Sequence, residues 1–149
     1  DIPITMRDGV PTVSVSLEGE RFPVTLDTGF NGTLRLPAEW EEKLPLGRRR
    51  RKVLVTTIHS KHIEVVRRLR TEVRIGPTPV RGALVYFGPG PPLLGLEIFR
   101  NRPILLDLRS GILRVGPLNG GTQVSAPPEA ATLRGVFTPT SAPRDGAMR

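Results

Sequence analysis

The tripeptide Asp27-Thr28-Gly29 is the part of the sequence best suited to acid–base chemistry. It directly follows an apolar run that ends at Leu26, so a strand would deliver the Asp27 carboxylate to the start of a tight loop. A carboxylate held in this way can accept or donate a proton as a general base or acid. Asp and Gly are also the commonest turn residues, so the tripeptide taken alone fits a plain turn as well.

Other residue types that catalyse reactions or bind metals give weaker signals. The chain has no cysteine, which excludes a thiolate nucleophile, a disulfide and cysteine-bound zinc. His59 and His62 have a spacing that metal sites sometimes use, but they have no acidic pair nearby, and we expect no metal and no cofactor. Ser60 and Ser110 have no recognisable His and Asp partners, which disfavours a serine hydrolase.

Length and composition favour one mostly β domain. The chain has 149 residues, of which 38% are hydrophobic and 24% charged, and its 16 Gly and 16 Pro indicate many turns. No run approaches the roughly 20 apolar residues of a membrane-spanning helix. We therefore expect a soluble domain; the sequence leaves open its compartment, and also whether an anchor or signal preceded Asp1.

The residues around Asp27 predict a strand, a loop, a strand and a short helix. Val10–Leu17 alternates apolar and hydroxyl side chains, which is typical of a half-buried strand. Residues 22–26 form a second strand that runs into Asp27, and the two strands are predicted to form a hairpin. A short strand over residues 33–36 and a helix over 38–44 follow.

The second half of the chain predicts a long hairpin followed by closing strands. The hairpin arms cover residues 53–58 and 63–75 around a polar tip at 59–62. A strand, an apolar segment that enters a short helix, and two closing strands are predicted at 80–87, 93–99, 104–108 and 111–115. Residues 117–149 are rich in Gly, Pro, Ala, Ser and Thr, so we expect a folded domain over 1–116 and a flexible tail over 117–149.

Two long segments together resemble the retropepsin-like aspartic protease family. The first, FPVTLDTGFNGTLRLP, contains Asp27-Thr28-Gly29; the second, PLLGLEIFRNRPILLDLRSGILRV, contains an apolar pair and Gly95 that open a helix. Their order and spacing, with a hairpin between them, are similar to the family layout, and Asp-Thr-Gly-Phe-x-Gly is similar to bacterial members. The resemblance implies an all-β fold, a closed barrel or sandwich with one or two short helices.

The resemblance also implies an aspartic endopeptidase that acts on extended polypeptide as a homodimer. The chemistry uses two carboxylates, and the chain contains one Asp-Thr-Gly, so Asp27 of each subunit would meet at a two-fold axis. Thr28 and Gly29 would support the active-site loops. The hairpin tip with Ile58, His59 and Ser60 would be a flap that contacts the substrate.

Three positions qualify the resemblance. The tip sequence His59-Ser60-Lys61-His62 has no glycine, unlike the retroviral pattern. Glu97 stands near the place where retroviral members carry a dimer-bridging Arg, so we expect a differently built subunit interface. Asp107 also ends a predicted strand, but Leu108 rather than Thr-Gly follows it, and we interpret it as a turn residue rather than a second catalytic carboxylate.

Arginine dominates the net charge of +8, and one run has five consecutive basic residues: Arg48, Arg49, Arg50, Arg51 and Lys52. We interpret this run as a solvated loop, with nucleic acid, an anionic surface or an acidic protein as alternative partners. A basic nucleic-acid-binding protein is therefore one alternative function, although aromatic residues make up only 5% of the chain. The other is a catalytically silent retropepsin fold that serves as a dimeric peptide-binding or assembly module.

Overall fold

The computed structural model describes residues 1–57 and 59–118, and these form an almost entirely β structure. The strands are β1 (Ile2–Arg7), β2 (Val10–Leu17), β3 (Glu20–Leu26), β4 (Leu34–Pro37), β5 (Leu46–Thr56), β6 (Lys61–Leu69), β7 (Glu72–Ile75), β8 (Thr78–Arg81), β9 (Leu84–Gly88), β10 (Leu93–Leu94), β11 (Ile104–Asp107) and β12 (Ile112–Val115). Two short 3₁₀ helices lie at Ala38–Trp40 and Leu96–Phe99. The predicted all-β class is confirmed.

One continuous sheet contains all of these strands. Their order is β11-β12-β1-β2-β3-β10-β4-β9-β6-β5, and β7 pairs with β2 and β8. The pairs β3–β10 and β4–β9 are parallel, whereas the other pairs are antiparallel. Because β2 pairs with β1, β3 and β7, the sheet bends around a shared core.

Alternating apolar side chains build that core. Val13, Val15 and Leu17 on β2 are at most 2% exposed, and Leu34 and Leu36 on β4 are fully buried. Complete burial of one such side chain contributes about 1.5–3 kcal/mol to stability. The alternation predicted for Val10–Leu17 is therefore confirmed, and its apolar face points into the core.

The predicted helix over residues 38–44 is wrong in type and length. A single 3₁₀ turn, Ala38–Trp40, is followed by a hydrogen-bonded turn, and β5 begins at Leu46. The segment between Pro37 and Pro45 is too short to form a stable α-helix on its own. Trp40 at the end of this turn packs against the core, with its ring centroid 5.0 Å from that of Phe22.

The basic run was predicted as a loop, and the structure corrects this, because Arg48–Lys52 lies inside strand β5. The run becomes a strand because it pairs with β6, which places Arg50 opposite Arg67 and Thr56 opposite Lys61. Consecutive charged residues show no alternation, so the sequence pattern alone did not indicate a strand.

The segment over residues 63–75 was predicted as one arm of a hairpin and is in fact divided between β6 and β7 by a bend at residues 70–71. The strand predicted over residues 80–87 is divided between β8 and β9, and β1 has no counterpart in the sequence prediction. Both β1 and β8 contain a proline, which is disfavoured inside a strand. Within the described part of the chain, no helix is long and apolar enough to cross a membrane. Residues 119–149 lie outside the described residues, so the predicted tail stays a prediction.

Candidate active site

Strand β10 fixes the end of the strand that carries Asp27. It lies between β3 and β4 and pairs with the first in parallel and with the second antiparallel. The Asp27 amide donates to the carbonyl oxygen of Leu94 at 2.9 Å, and the Gly95 amide donates to that of Thr33 at 2.8 Å. Both ends of the loop that follows β3 are thus bonded to one short segment from much later in the chain.

Hydrogen bonds within the loop orient the Asp27 carboxylate. The Gly29 amide donates to Oδ1 of Asp27 at 2.9 Å, and the Phe30 amide donates to the Asp27 carbonyl at 3.2 Å. Asp27 is half-buried, while Thr28 and Gly29 are exposed. The carboxylate is therefore held in one direction and remains accessible from the exposed side of the loop.

Gly95, directly after β10, lies so close to the backbone of the Asp27 loop that it has no room for a side chain. A Cβ atom on Gly95 would lie 2.1 Å from the carbonyl oxygen of Gly32 and 2.5 Å from that of Phe30. Gly32 is also crowded, since a Cβ atom there would lie 2.4 Å from Cζ of the Phe30 ring. The sequence identified Gly95 as part of a motif, but it did not show that the backbone of Gly95 touches the loop at Gly32.

A shallow depression adjoins the Asp27 loop. Its volume is about 280 Å³, and it is lined by Thr28, Phe30, Asn31, Leu96, Glu97 and Arg100. The Phe30 ring meets the edge of Tyr86, with centroids 5.5 Å apart and planes at 78°. Glu97 forms an ion pair with Arg100 in the same segment. The unusual acidic residue noted in the sequence thus has a partner within its own subunit.

The tip of the β5–β6 hairpin is held by Thr57, a residue that no sequence motif indicates. The Thr57 amide donates to the Ser60 carbonyl at 2.8 Å, and Thr57 Oγ1 accepts from the amides of Ser60 at 2.9 Å and His59 at 3.3 Å. A hydroxyl that bonds nearby backbone amides is a known turn device, and it takes the place of a glycine here.

The predicted tip residues do not all lie in the turn. His59 and Ser60 are exposed at the tip as expected, whereas Lys61 and His62 belong to β6 and not to the turn. Ile58, the third predicted substrate contact, lies outside the described residues. The contacts of these residues with substrate stay a prediction.

A buried ionic cluster lies farther along β6 and was not predicted. Glu64 has no exposed surface; its Oε1 lies 2.9 Å from Nε2 of His62 and 3.5 Å from Nη1 of Arg35. Within the described residues, Glu64 Oε2 and Arg35 Nε are buried without a hydrogen-bond partner. His62 was predicted in the polar tip and is instead half-buried against this carboxylate. A Cβ atom on Gly88 would lie 2.6 Å from Cγ of Glu64.

The cluster shares a sheet face with Asp27. Cross-strand pairing aligns five residues in one row: Thr25, Leu93, Arg35, Tyr86 and Val66. Side chains alternate between faces, so Asp27, two residues after Thr25, and Glu64, two residues before Val66, belong to this face. Arg35 and Glu64 therefore lie on the sheet face that also carries Asp27.

Asp107 does not add to the site. Its Oδ1 accepts a hydrogen bond from the Ser110 amide at 3.0 Å, and this bond holds the pKa of Asp107 below its ordinary value. β11, which ends at Asp107, is separated from β3 by β12, β1 and β2 in the sheet. The interpretation of Asp107 as a turn residue is confirmed.

No group of three His, Asp or Glu side chains with metal-site geometry occurs among the described residues.

Comparison with known proteins identifies the fold. No protein-family model matches the chain, and no curated protein matches it. Among solved structures, it is similar to the crystal structure of a retropepsin-like aspartic protease from Rickettsia conorii, with a TM-score of 0.55. The similarity covers 77% of this chain and 88% of that chain at 19% sequence identity. The chain therefore has a retropepsin-like, all-β fold.

Proposed function

We propose that this protein is a homodimeric aspartic endopeptidase whose active site combines Asp27 from two subunits. The observation that carries the proposal is the position of Asp27 at the end of β3, with its amide bonded to Leu94 and its carboxylate bonded to the Gly29 amide, in a retropepsin-like fold. A carboxylate that only stabilised a turn would not require strand β10 to bond the Asp27 amide as well.

The second carboxylate is proposed to come from a partner copy. The sequence has one Asp-Thr-Gly, Asp107 is engaged in its own turn, and Glu64 is buried beside Arg35. A two-fold axis through the exposed loop of Thr28 and Gly29 would bring two copies of Asp27 together in an isologous contact.

The chemistry follows from two carboxylates that share one proton. Like charges held close together do not both ionise easily, so one Asp27 is ionised and the other protonated. The ionised carboxylate takes a proton from water as the water oxygen bonds to the peptide carbon, and the protonated one donates to the carbonyl oxygen. The C–N bond then breaks as the first Asp27 gives the proton taken from water to the amine nitrogen and the second Asp27 takes a proton from a hydroxyl of the hydrated carbonyl, which gives a free acid and a free amine.

Substrate binding is proposed to use the β5–β6 hairpin as a flap. An extended polypeptide would lie between the hairpin and the Asp27 loop and pair with strand main chains, while its side chains fill alternate pockets. The exposed residues His59 and Ser60 stand at the tip that would cover it. Closure of such a tip excludes water from the reacting groups.

The test is cleavage of a random peptide library by wild type and Asp27→Asn, with a pepstatin-type inhibitor as a control and sedimentation analysis to measure the dimer. We expect cleavage by wild type, loss in Asp27→Asn with an unchanged fold, and activity that falls as the dimer dissociates. A confirmed dimer that cleaves no peptide would contradict the proposal and favour a peptide-binding module.

A further inference from the structure

The outer edge of β5 is a free edge of the sheet. β5 is the last strand in the sheet order, and within the described residues it pairs with β6 alone. The amide and carbonyl groups along its other edge are available to an added strand, which is one way that proteins bind extended peptides. This edge belongs to the β5–β6 hairpin, which is proposed as the flap.

This edge strand carries an uncompensated positive charge. Its basic residues are all exposed: Arg48, Arg49, Arg50, Arg51 and Lys52. Arg50 is compensated, since its Nε and Nη2 donate to the Glu41 carboxylate at 2.7 and 3.1 Å. The other four form no ion pair with the part of the chain that the structure describes. At the rise of a strand they span roughly 13 Å, about one and a half screening lengths at physiological salt.

We propose that this basic edge, defined as Arg48, Arg49, Arg51 and Lys52, selects substrates that carry acidic residues beside the cleaved segment. The inference rests on the proposed function, because the same hairpin would hold the substrate. Residue-for-residue pairing places the basic edge about four to eight residues from the substrate residue opposite Thr56. A dimer presents two such edges, so acidic residues on either flank are recognised.

The edge fits an acidic polypeptide better than a nucleic acid. An acidic polypeptide can form hydrogen bonds with the free main-chain groups of β5 and ion pairs with its basic side chains. A nucleic acid offers only the ion pairs. Strand β5 contains no aromatic side chain on which a base would stack. Binding of nucleic acid at this edge is therefore the competing outcome of the test.

The experiment uses one peptide that the enzyme cleaves, extended at both ends with either Glu and Asp or the isosteric Gln and Asn. We expect kcat/KM for the acidic peptide to be about tenfold higher at low salt, the sum of several exposed charge pairs, and the ratio to shrink as salt is added. In Arg49→Gln/Arg51→Gln, which removes two of the four charges of the basic edge, this ratio should fall to about threefold. The matched control, Arg7→Gln/Arg109→Gln, removes the same charge from exposed residues elsewhere and should keep the ratio.

The outcomes separate the two proposals. Equal kcat/KM for both peptides, with all cleavage lost in Asp27→Asn, would overturn the basic edge and leave the endopeptidase proposal standing. Fluorescence anisotropy of the labelled peptides with Asp27→Asn protein tests binding without cleavage, and tighter binding of the acidic peptide that depends on Arg49 and Arg51 supports the edge. Displacement of that peptide by a single-stranded oligonucleotide at a lower concentration than by unlabelled acidic peptide would overturn it.

Discussion

Nε2 of His62 lies 2.9 Å from Oε1 of Glu64, a carboxylate with no exposed surface. The pair joins the hairpin to the sheet beneath it, because Arg35 on β4 approaches the same oxygen at 3.5 Å. Removal of one member of a buried ionic group leaves the other charges without compensation, which is far more destabilising than the loss of an exposed pair.

Glu64→Ala is therefore expected to lower the free energy of unfolding by about 3 kcal/mol, because it leaves the largely buried Arg35 side chain without a counter-charge. Chemical denaturation measures this value. The matched control is Glu72→Ala, whose partners Arg74 and Arg81 are exposed, and its expected loss is below about 1 kcal/mol. Similar losses in the two variants would show that the buried cluster is not a special source of stability.

Gly95→Ala is expected to destabilise the fold by about 1–3 kcal/mol or more, since the new Cβ would meet the rigid backbone of Gly32 at 2.1 Å. The displaced Asp27 loop should also lower kcat/KM for any substrate. Gly47→Ala serves as the control, because its nearest contact would be an ordinary 3.5 Å to the Arg68 carbonyl. Thermal unfolding and peptide cleavage are measured together, and a Gly95 variant as stable as the Gly47 variant would contradict the close approach.

Thr57→Val tests whether the tip of the hairpin matters for activity. The substitution keeps the shape of the side chain but removes the hydroxyl that bonds the amides of His59 and Ser60. We expect kcat/KM to fall about fivefold, the equivalent of one net hydrogen bond, with little change in the unfolding midpoint. Thr56→Val, at the neighbouring exposed position, is the control. Unchanged cleavage by both variants would show that an ordered tip is not needed.

Glu41→Gln tests the pH dependence of stability. The hydrogen bond from Arg50 lowers the pKa of Glu41 below its ordinary value of 4.5. A lowered pKa in the folded state means that ionised Glu41 stabilises the fold above pH 4.5, and that this stabilisation is lost as pH falls through the folded pKa. The variant should thus be less stable than wild type at pH 7 and should approach it in acid. The exposed neighbour Glu42→Gln is the control, and a pH-independent difference would contradict the assignment.

The sequence predicted the Asp27 region well because local pattern determines it. Val10–Leu17 alternates, the next strand leads into Asp27, and both strands form as predicted. The contact between Gly95 and Gly32 could not be predicted, because it depends on how β10 inserts between two other strands. Motif spacing in the sequence identifies Gly95, but it does not indicate how close Gly95 and Gly32 lie in space.

In the β5–β6 hairpin, the hydrophobic pattern of the sequence does not predict which side chains are buried. In Ile63-Glu64-Val65 the apolar side chains suggest an inward Ile63 and an outward Glu64, yet Ile63 is 61% exposed and Glu64 is 0% exposed. Pairing with β9 decides which side chains of β6 lie on the same sheet face as Asp27, and a shift of one residue would exchange the two faces. Ile63 instead pairs with the exposed Leu54 on the outer face of the hairpin.

The insertion of β10 also bears on how the chain is synthesised. A ribosome releases β3 and Asp27 long before Leu93–Leu94, and until that segment arrives, no strand can occupy the gap between β3 and β4. Contacts between residues so far apart in sequence form late, since a large loop must first close. A nascent chain that ends before β10 therefore lacks the strand that fixes Asp27. The geometry that orients this carboxylate is therefore complete only when nearly the whole sheet has been made.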